Sequence, residues 1–179
     1  FYFLANKQTN KETLNLEKNQ LSGKLPSEIG NMKNLVTLSI SLNKFIGYIP
    51  TQIISNLQNL VYFHASGNSM VIPVVSGNKD LWAIGHLTSL VELELTDNKF
   101  DDPNAFLDPS ISLWRMQNLT LLNLGQTGLQ GTIPGEGLAN LSKLETLHLS
   151  GNALSGTFPT EIGYLNCLAY LSIGANRFT

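Results

Sequence analysis

The chain has 179 residues, a formal net charge of −2 at pH 7, and only 13% charged residues, well below the roughly 25% of ordinary soluble domains. Such a weak charge, without any run of Lys or Arg, excludes the basic surface with which proteins bind nucleic acids or anionic membranes. No stretch approaches the ~20 consecutive apolar residues of a membrane-spanning helix, so direct membrane insertion of this segment is not expected either.

A ladder of leucines recurs along the whole chain. In chain order the ladders open near Lys11 and then at Leu35, Leu60, Leu90, Leu119, Leu144 and Leu168. Counted between these openings, the spacings are 24, 25, 30, 29, 25 and 24 residues. A repeat of this length predicts units that each add one short strand and a return segment. We therefore expect a single repeat array over residues 1–179, with about six complete units and a partial seventh.

Alternation within each ladder predicts a strand. Leu147 and Leu149, for example, are separated by a polar residue, and because strand side chains alternate between faces, both leucines point the same way. Stacking the units would pair these strands into a parallel sheet. The leucines would then fill a continuous core on one side of the sheet, and polar columns would cover the other.

An asparagine ends the strand region in most units. These residues are Asn19, Asn43, Asn68, Asn98, Asn152 and Asn176. We expect each amide to face inward and to bond the backbone of its own turn and of the neighbouring unit, because an unpaired buried amide costs roughly 1–3 kcal/mol. This asparagine ladder is interpreted as scaffold. Thr127 takes the same place in the fifth unit, where a weaker rung is predicted.

Four units continue with Gly-x-Ile/Leu/Phe-Pro, in segments 21–30, 45–50, 129–134 and 154–163. By these motifs the chain resembles the plant-type leucine-rich repeat family, and it is similar to the ectodomains of receptor-like kinases and receptor-like proteins and to secreted polygalacturonase inhibitors. The resemblance implies an α/β solenoid, a right-handed superhelix with a parallel concave β-sheet and 3-10 or helical returns on the convex side. It also implies short flank strands at the Gly-x-Ile-Pro stretches, ended by proline because proline lacks an N–H.

The third and fourth units depart from this pattern. Residues 71–80 and 101–110 replace the Gly-x-Ile-Pro stretch, and these units are 30 and 29 residues long against 24 or 25 elsewhere. Each insert is followed by a tryptophan, Trp82 or Trp114. Insertions in solenoids lie on one face and often bind partners. Two interpretations stay open: the tryptophans pack over longer convex returns, or they contact a partner.

The open face of the sheet offers the candidate ligand site. Its candidate contacts are Tyr62, His64, Glu92, Glu94, Asp97, Asn123 and His148. Adjacent strands lie about 4.8 Å apart, so residues in one column can touch. The first five bring an aromatic ring and an imidazole beside three carboxylates. The alternative interpretation is a solvated polar strip that binds no ligand.

Catalysis and metal binding are not expected. Glu92 and Glu94 could form a carboxylate pair, or His64 and Glu94 an acid–base pair, but the surface is open and nothing excludes water. His64 and His148 are three strands apart, about 14 Å at the strand spacing. His86 lies on the return side. Nucleophile and phosphate-loop motifs are absent from the sequence, so we expect no enzyme activity, no cofactor and no metal.

Three further features concern the parent protein. Sequons for N-glycosylation begin at Asn118 and Asn140 and favour the secretory route. Cys167 is alone and is interpreted as a small buried residue of the return segment. Neither end carries a capping repeat, which solenoids need for solubility, so the chain is interpreted as a fragment of a longer array.

Two non-catalytic functions remain. In the first, the array is an extracellular or cell-surface recognition module that binds a peptide, glycan or protein on its concave face. Basic groups of that ligand would lie opposite Glu92, Glu94 and Asp97. In the second, it is a structural or adhesive scaffold subunit, which could be intracellular, that docks into a larger assembly through its convex inserts and flanks.

Overall fold

The computed structural model describes residues 12–72, 83–102, 104 and 112–179. Short strands form a concave sheet and its flanks. The concave strands are β1 Thr13–Asn15, β3 Thr37–Ser39, β5 Tyr62–His64, β7 Glu92–Glu94, β9 Leu121–Asn123, β11 Thr146–His148 and β13 Tyr170–Ser172. The flank strands are β2 Ser22–Lys24, β4 Lys44–Tyr48, β6 Ser69–Ile72, β8 Lys99–Phe100, β10 Gln130–Gly131, β12 Ala153–Gly156 and β14 Arg177–Phe178. This is the predicted α/β solenoid.

The concave sheet is parallel throughout, in the order β1-β3-β5-β7-β9-β11-β13. Its central residues pair with one another along the array, as Leu38 does with Phe63 and Phe63 with Leu93. All three are fully buried in one continuous apolar core. The alternation of leucine and polar residues therefore fixes the face on which each side chain lies, as the sequence predicts.

Flank strands form a second layer, also predicted, but the layer is split. The order is β2-β4-β6-β8 in one sheet and β10-β12-β14 in the other. The break falls directly after the fourth unit, where 101–110 replaces the Gly-x-Ile-Pro stretch. The concave strands on either side of this break stay paired, Leu93 with Leu122. The departure in sequence therefore alters the flank and leaves the concave register intact.

Short helices make the returns. The 3-10 helices are Ser27–Asn31, Ala83–His86, Ser112–Arg115 and Thr160–Tyr164. The α-helices are α1 Thr51–Asn56 and α2 Gly135–Ala139. Proline stands directly before the return in each unit with Gly-x-Ile/Leu/Phe-Pro, at Pro26, Pro50, Pro134 and Pro159, always with an extended backbone. Proline thus ends the flank strand and opens the helix, because its fixed φ suits the residue before a helix and its missing N–H ends strand pairing.

Buried asparagines bond the units together. Asn98 donates its amide N–H groups to the carbonyl oxygens of Ala65, in the preceding unit, and of Leu95, in its own turn, at 2.9 and 3.0 Å. Its oxygen accepts the backbone N–H of Met70 at 3.0 Å. Asn43, Asn68, Asn152 and Asn176 repeat this pattern of bonds to two successive units. The predicted role of the ladder as scaffold fits these bonds.

Thr127 makes different hydrogen bonds at the position that asparagine takes in the other units. Its hydroxyl donates to the carbonyl of Leu124 in its own turn at 2.7 Å. Its side chain has no amide to reach the preceding unit, and its backbone carbonyl instead accepts the N–H of Phe100 at 3.3 Å. Fewer bonds therefore join the fourth and fifth units at this rung. The prediction that the rung is weaker in stability stays a prediction.

One turn position requires a left-handed backbone. The residue before each asparagine of the ladder, and before Thr127, has a positive φ. In two units this residue is a glycine, Gly67 or Gly151, with φ of +64° and +70°. Elsewhere an L-residue occupies it, including Leu42 at +55° and Asp97 at +58°. Left-handed conformations cost such residues roughly 1–2 kcal/mol. The repeat thus tolerates local strain at a position that no sequence motif marks.

Two sequence interpretations need correction. Trp114 is 2% exposed and packs against Gly137 of the next return, where an added Cβ would lie 2.7 Å from its ring. For Trp114, the interpretation that it packs within the array is therefore right, and the interpretation that its ring contacts a partner is wrong. Trp82 lies outside the described residues. Cys167 is exposed, because it takes the turn position before the ladder leucine, where Asn59, Asn118 and Lys143 are also exposed in earlier units; its interpretation as a buried residue is wrong.

Candidate functional site

The candidate site lies on strands β5 and β7, at the centre of the concave sheet. Tyr62 pairs with Glu92 and His64 with Glu94 in the parallel register. Their intervening residues, Phe63 and Leu93, are fully buried. Because side chains alternate along a strand, the four polar or aromatic side chains emerge together on the open face. The structure thus brings together four of the predicted contacts.

The imidazole of His64 makes the closest contact in this cluster. Its Nε2 lies 2.9 Å from Oε2 of Glu92, and the two side chains are 25% and 32% exposed. The contact is diagonal, since Glu92 stands across from Tyr62, whose ring packs edge-on to the imidazole with centroids 6.4 Å apart. Donor atoms of His64, Glu92 and Glu94 all lie within 4.8 Å of one another. We call these three residues the His-Glu-Glu cluster.

The His-Glu-Glu cluster has an excess of negative charge. Among the described residues, salt bridges join Lys18 to Glu17 and His64 to Glu92. No Lys or Arg of that part of the chain forms a salt bridge with Glu92 or Glu94. Two carboxylates therefore face one imidazole, and the cluster suits a cationic group.

A buried hydroxyl without a hydrogen bond adjoins the cluster. Ser39 stands directly across from His64 on the neighbouring strand β3. It is 4% exposed, and its Oγ, like that of Ser66, has no hydrogen-bond partner among the described residues. Leaving a buried hydroxyl unpaired costs roughly 1–3 kcal/mol. Sequence reasoning did not single out these serines; a small polar residue between bulkier neighbours in a column was the available signal.

Asp97 is not part of the cluster. It is exposed in the left-handed turn that follows β7 and lines a different feature, a groove of about 790 Å³. Lys99, Phe100, Thr127 and Gly128 line the same groove, which therefore lies where the flank layer is split. The prediction that Asp97 would join the other two carboxylates is wrong, because the turn carries its side chain toward the flank.

Asn123 on β9 stands across from Glu94, and His148 on β11 stands across from Asn123; both side chains have hydrogen-bond partners of their own. The Oδ1 of Asn123 accepts hydrogen bonds from the hydroxyl of Thr96 and the backbone N–H of Gly125. His148 is bonded through Nε2 to the hydroxyl of Ser150. His148 lies on β11, three strands from His64, as predicted. These two side chains extend the polar face beyond Glu94, and Oδ1 of Asn123 and Nε2 of His148 already have partners within the chain.

Both sequons lie on the return side of the array. Asn118 is exposed; its amide donates to the carbonyl of Thr88 at 3.2 Å and its oxygen accepts from Nζ of Lys143 at 2.8 Å. Asn140 is exposed at the end of α2. A glycan at either position would leave the concave face clear. None of the described helices is long and apolar enough to cross a bilayer.

Known proteins share these features. Residues 12–32 and 143–165 match the family model Leucine Rich Repeat, and residues 86–103 match a second Leucine Rich repeat model. Receptor-like protein 41 of Arabidopsis thaliana is 32% identical over 92% of this chain and 17% of its own length.

Two solved structures from Arabidopsis match 92% of this chain. One is the leucine-rich repeat ectodomain of the receptor kinase GASSHO1/SCHENGEN3 in complex with CASPARIAN STRIP INTEGRITY FACTOR 2, with 29% identity, a TM-score of 0.76 and 18% of that chain covered. The other is the receptor kinase HAESA in complex with the peptide hormone IDA and the co-receptor SERK1, with 32% identity, a TM-score of 0.75 and 25% of that chain covered.

The similarity covers nearly the whole of this chain but only part of the length of each relative. This chain spans 17% of the length of Receptor-like protein 41. The chain belongs to the plant-type leucine-rich repeat family.

Proposed function

We propose that the chain is a non-catalytic ligand-recognition segment of an extracellular, receptor-like protein, and that its concave face binds a peptide or protein ligand. The observation that carries this proposal is the His-Glu-Glu cluster, in which two carboxylates on an open face have no Lys or Arg partner among the described residues. The ligand group that best fits them is a basic side chain, above all a guanidinium, which pairs with carboxylates through two parallel hydrogen bonds.

Relatives support the same class of function. The matched HAESA structure contains a peptide hormone, and the matched GASSHO1/SCHENGEN3 structure contains a factor bound to the ectodomain. GASSHO1/SCHENGEN3 is described as a plant membrane receptor kinase and HAESA as a receptor kinase. These descriptions support a cell-surface location for this chain. That this chain binds a ligand as these proteins do is part of the proposal.

Binding rather than catalysis fits the geometry. His64 and Glu92 are hydrogen-bonded but partly exposed, and the groove of about 790 Å³ does not include them. Catalytic groups act most strongly where water is excluded and the electrostatics are preorganised. An open cluster on a rigid sheet instead provides a fixed charge pattern for recognition.

Matched peptides test the proposal. Pairs of synthetic peptides that differ only by arginine against citrulline, which has the same shape without the charge, would be arrayed and probed with the full chain. Peptides that bind should do so through arginine. The double variant Glu92→Gln/Glu94→Gln should weaken their affinity about tenfold, equivalent to 1.4 kcal/mol, because it removes two partly exposed carboxylates whose charge pairs contribute up to about 1 kcal/mol each.

A matched control separates local from general charge effects. Glu28 and Glu136 lie in the returns, so Glu28→Gln/Glu136→Gln changes the net charge equally and should leave peptide affinity unchanged. Equal binding by wild type and Glu92→Gln/Glu94→Gln would overturn the proposed site. Equal affinity of the chain for the arginine peptides and for their citrulline counterparts would overturn the proposed ligand chemistry.

A scaffold function is the second candidate. Strand β4 at the flank exposes Ile46 and Tyr48, which are 51% and 57% exposed, and this apolar surface could dock into an assembly. Ile46→Ser/Tyr48→Ser separates the two functions. Loss of partner binding in this variant, with retention in Glu92→Gln/Glu94→Gln, would favour the scaffold.

A further inference from the structure

The His-Glu-Glu cluster has the donor set of a metal site. One imidazole nitrogen and two carboxylates converge from two adjacent strands, with His64 on β5 and Glu92 and Glu94 on β7. All three donor groups lie within 4.8 Å of one another. We propose that His64, Glu92 and Glu94 bind a divalent transition-metal ion of the zinc type, which would compete with the arginine of the proposed ligand for Glu92 and Glu94.

The distances suit such an ion after small side-chain movements. Zinc binds imidazole nitrogen at about 2.0–2.1 Å and carboxylate oxygen at about 2.0–2.2 Å, in a tetrahedral arrangement. Donors around one ion are then about 3.3 Å apart. Nε2 of His64 and Oε2 of Glu92 are already 2.9 Å apart. Glu94 has to move by about 1–2 Å at its tip, which its partly exposed side chain allows by rotation about staggered torsions.

Charge favours the same ion. Two carboxylates with a neutral imidazole carry −2, and a divalent cation brings the site to zero. No Lys or Arg in the described part of the chain forms a salt bridge with either carboxylate, so the ion would not have to displace a protein cation. Like charges held this close repel each other, and an ion between them removes that repulsion.

Ser39 provides an independent sign that the polar network is incomplete. It is 4% exposed, it pairs with His64 in the register, and its Oγ has no hydrogen-bond partner among the described residues. Three protein donors also leave one of four zinc positions open, which water normally fills. Ser39 flanks His64 on the β3 side, opposite to Glu94 on β7, and no group in the described part of the chain bonds its Oγ.

The chemistry of the donors also sets the selectivity. Imidazole favours zinc, cobalt, nickel and copper, whereas calcium and magnesium require oxygen ligands in larger number. Sequence reasoning missed this site because it compared the histidines only with one another. His148 is indeed too far away, but two carboxylates of the adjacent strand supply the remaining donors.

Titration with Co²⁺ alone, followed by its visible absorption, and with Zn²⁺ alone, followed by calorimetry, tests the site on the purified full chain. We expect one ion per chain, with Mg²⁺ and Ca²⁺ unable to compete at tenfold excess. His64→Gln and Glu92→Gln/Glu94→Gln should each weaken Zn²⁺ affinity at least about tenfold, the lower limit seen even for residues that only support a ligand. His148→Gln is the matched control, a histidine on the same face, and should bind as wild type does.

A second measurement avoids variants altogether. Zn²⁺ should protect His64, and not His86 or His148, from carbethoxylation by diethyl pyrocarbonate, as read by mass spectrometry of the wild-type chain. Absence of stoichiometric binding, unchanged affinity in His64→Gln, loss of affinity in His148→Gln, or equal reactivity of His64 with and without Zn²⁺ would each overturn the proposal.

Discussion

Removal of the Asn98 side chain is the sharpest test of how the array is held together. Asn98 is 2% exposed. Asn98→Ala would deprive one buried N–H, that of Met70, and two carbonyls, those of Ala65 and Leu95, of their amide partner. An unsatisfied buried donor costs roughly 1–3 kcal/mol, and carbonyls with two lone pairs cost less. We expect a loss of about 3 kcal/mol in the free energy of unfolding, measured by urea denaturation.

Asn19→Ala is the matched control, since it removes the same residue type from the same position of the repeat. Among the described residues, which begin at residue 12, the amide of Asn19 bonds the carbonyls of its own turn, Leu16 and Glu17, in an exposed setting. Water can replace these bonds, so we expect a loss below about 1 kcal/mol. Asn98→Asp should cost at least as much as Asn98→Ala, because it places a buried carboxylate against the carbonyl oxygens of Ala65 and Leu95. A loss in Asn98→Ala no greater than in Asn19→Ala would refute the view that amide bonds between units stabilise the array.

Three further predictions concern turn strain, core packing and compartment. Leu42→Gly should raise the free energy of unfolding by about 0.5 kcal/mol. Glycine removes the strain of a left-handed residue at φ +55°, which costs roughly 1–2 kcal/mol, but the greater conformational freedom of glycine in the unfolded chain offsets part of this gain. Gly67→Ala should instead lower it by about 1–2 kcal/mol, since its φ is +64° and an added Cβ would lie 2.7 Å from Cδ2 of Leu42; shifts of the same sign in these two urea titrations would contradict the strain argument. Trp114→Ala should cost about 3–5 kcal/mol by the same assay, and a loss below about 1 kcal/mol would mean that the ring is not a core element. Glycopeptide mass spectrometry of the native protein should find N-glycans on Asn118 and Asn140, and bare asparagines at both positions would favour the intracellular scaffold.

Periodicity made the scaffold predictable. A two-residue period places Leu38 and Leu93 in the core, and the longer period brings each ladder beside the next, so strand register followed from the sequence alone. The flank layer was predicted as a layer but not as two sheets. At the split, the backbone carbonyl of Thr127 replaces an asparagine side-chain amide as acceptor for the N–H of Phe100. No motif encodes that exchange.

The candidate site was predictable to the level of the column and not of the contact. Register placed Tyr62, His64, Glu92 and Glu94 on one face, and the structure agrees. Asp97 was assigned to the same group by proximity in sequence, but the left-handed turn that it occupies directs it to the flank groove. Contacts such as the diagonal approach of His64 to Glu92 depend on side-chain rotamers, which sequence spacing does not determine.

The irregular features of this array are concentrated in neighbouring units. The longer units three and four, the substitution at Thr127, the split of the flank layer and the His-Glu-Glu cluster all lie between β5 and β10. In a solenoid each unit contacts only its neighbours, so a local departure alters few contacts and leaves the rest of the array unchanged. Here the flank absorbs the change, while the concave strands β5, β7 and β9 keep their register. The scaffold can therefore vary in length and flank structure at the very units that carry the His-Glu-Glu cluster, without changing the strand register that positions its side chains.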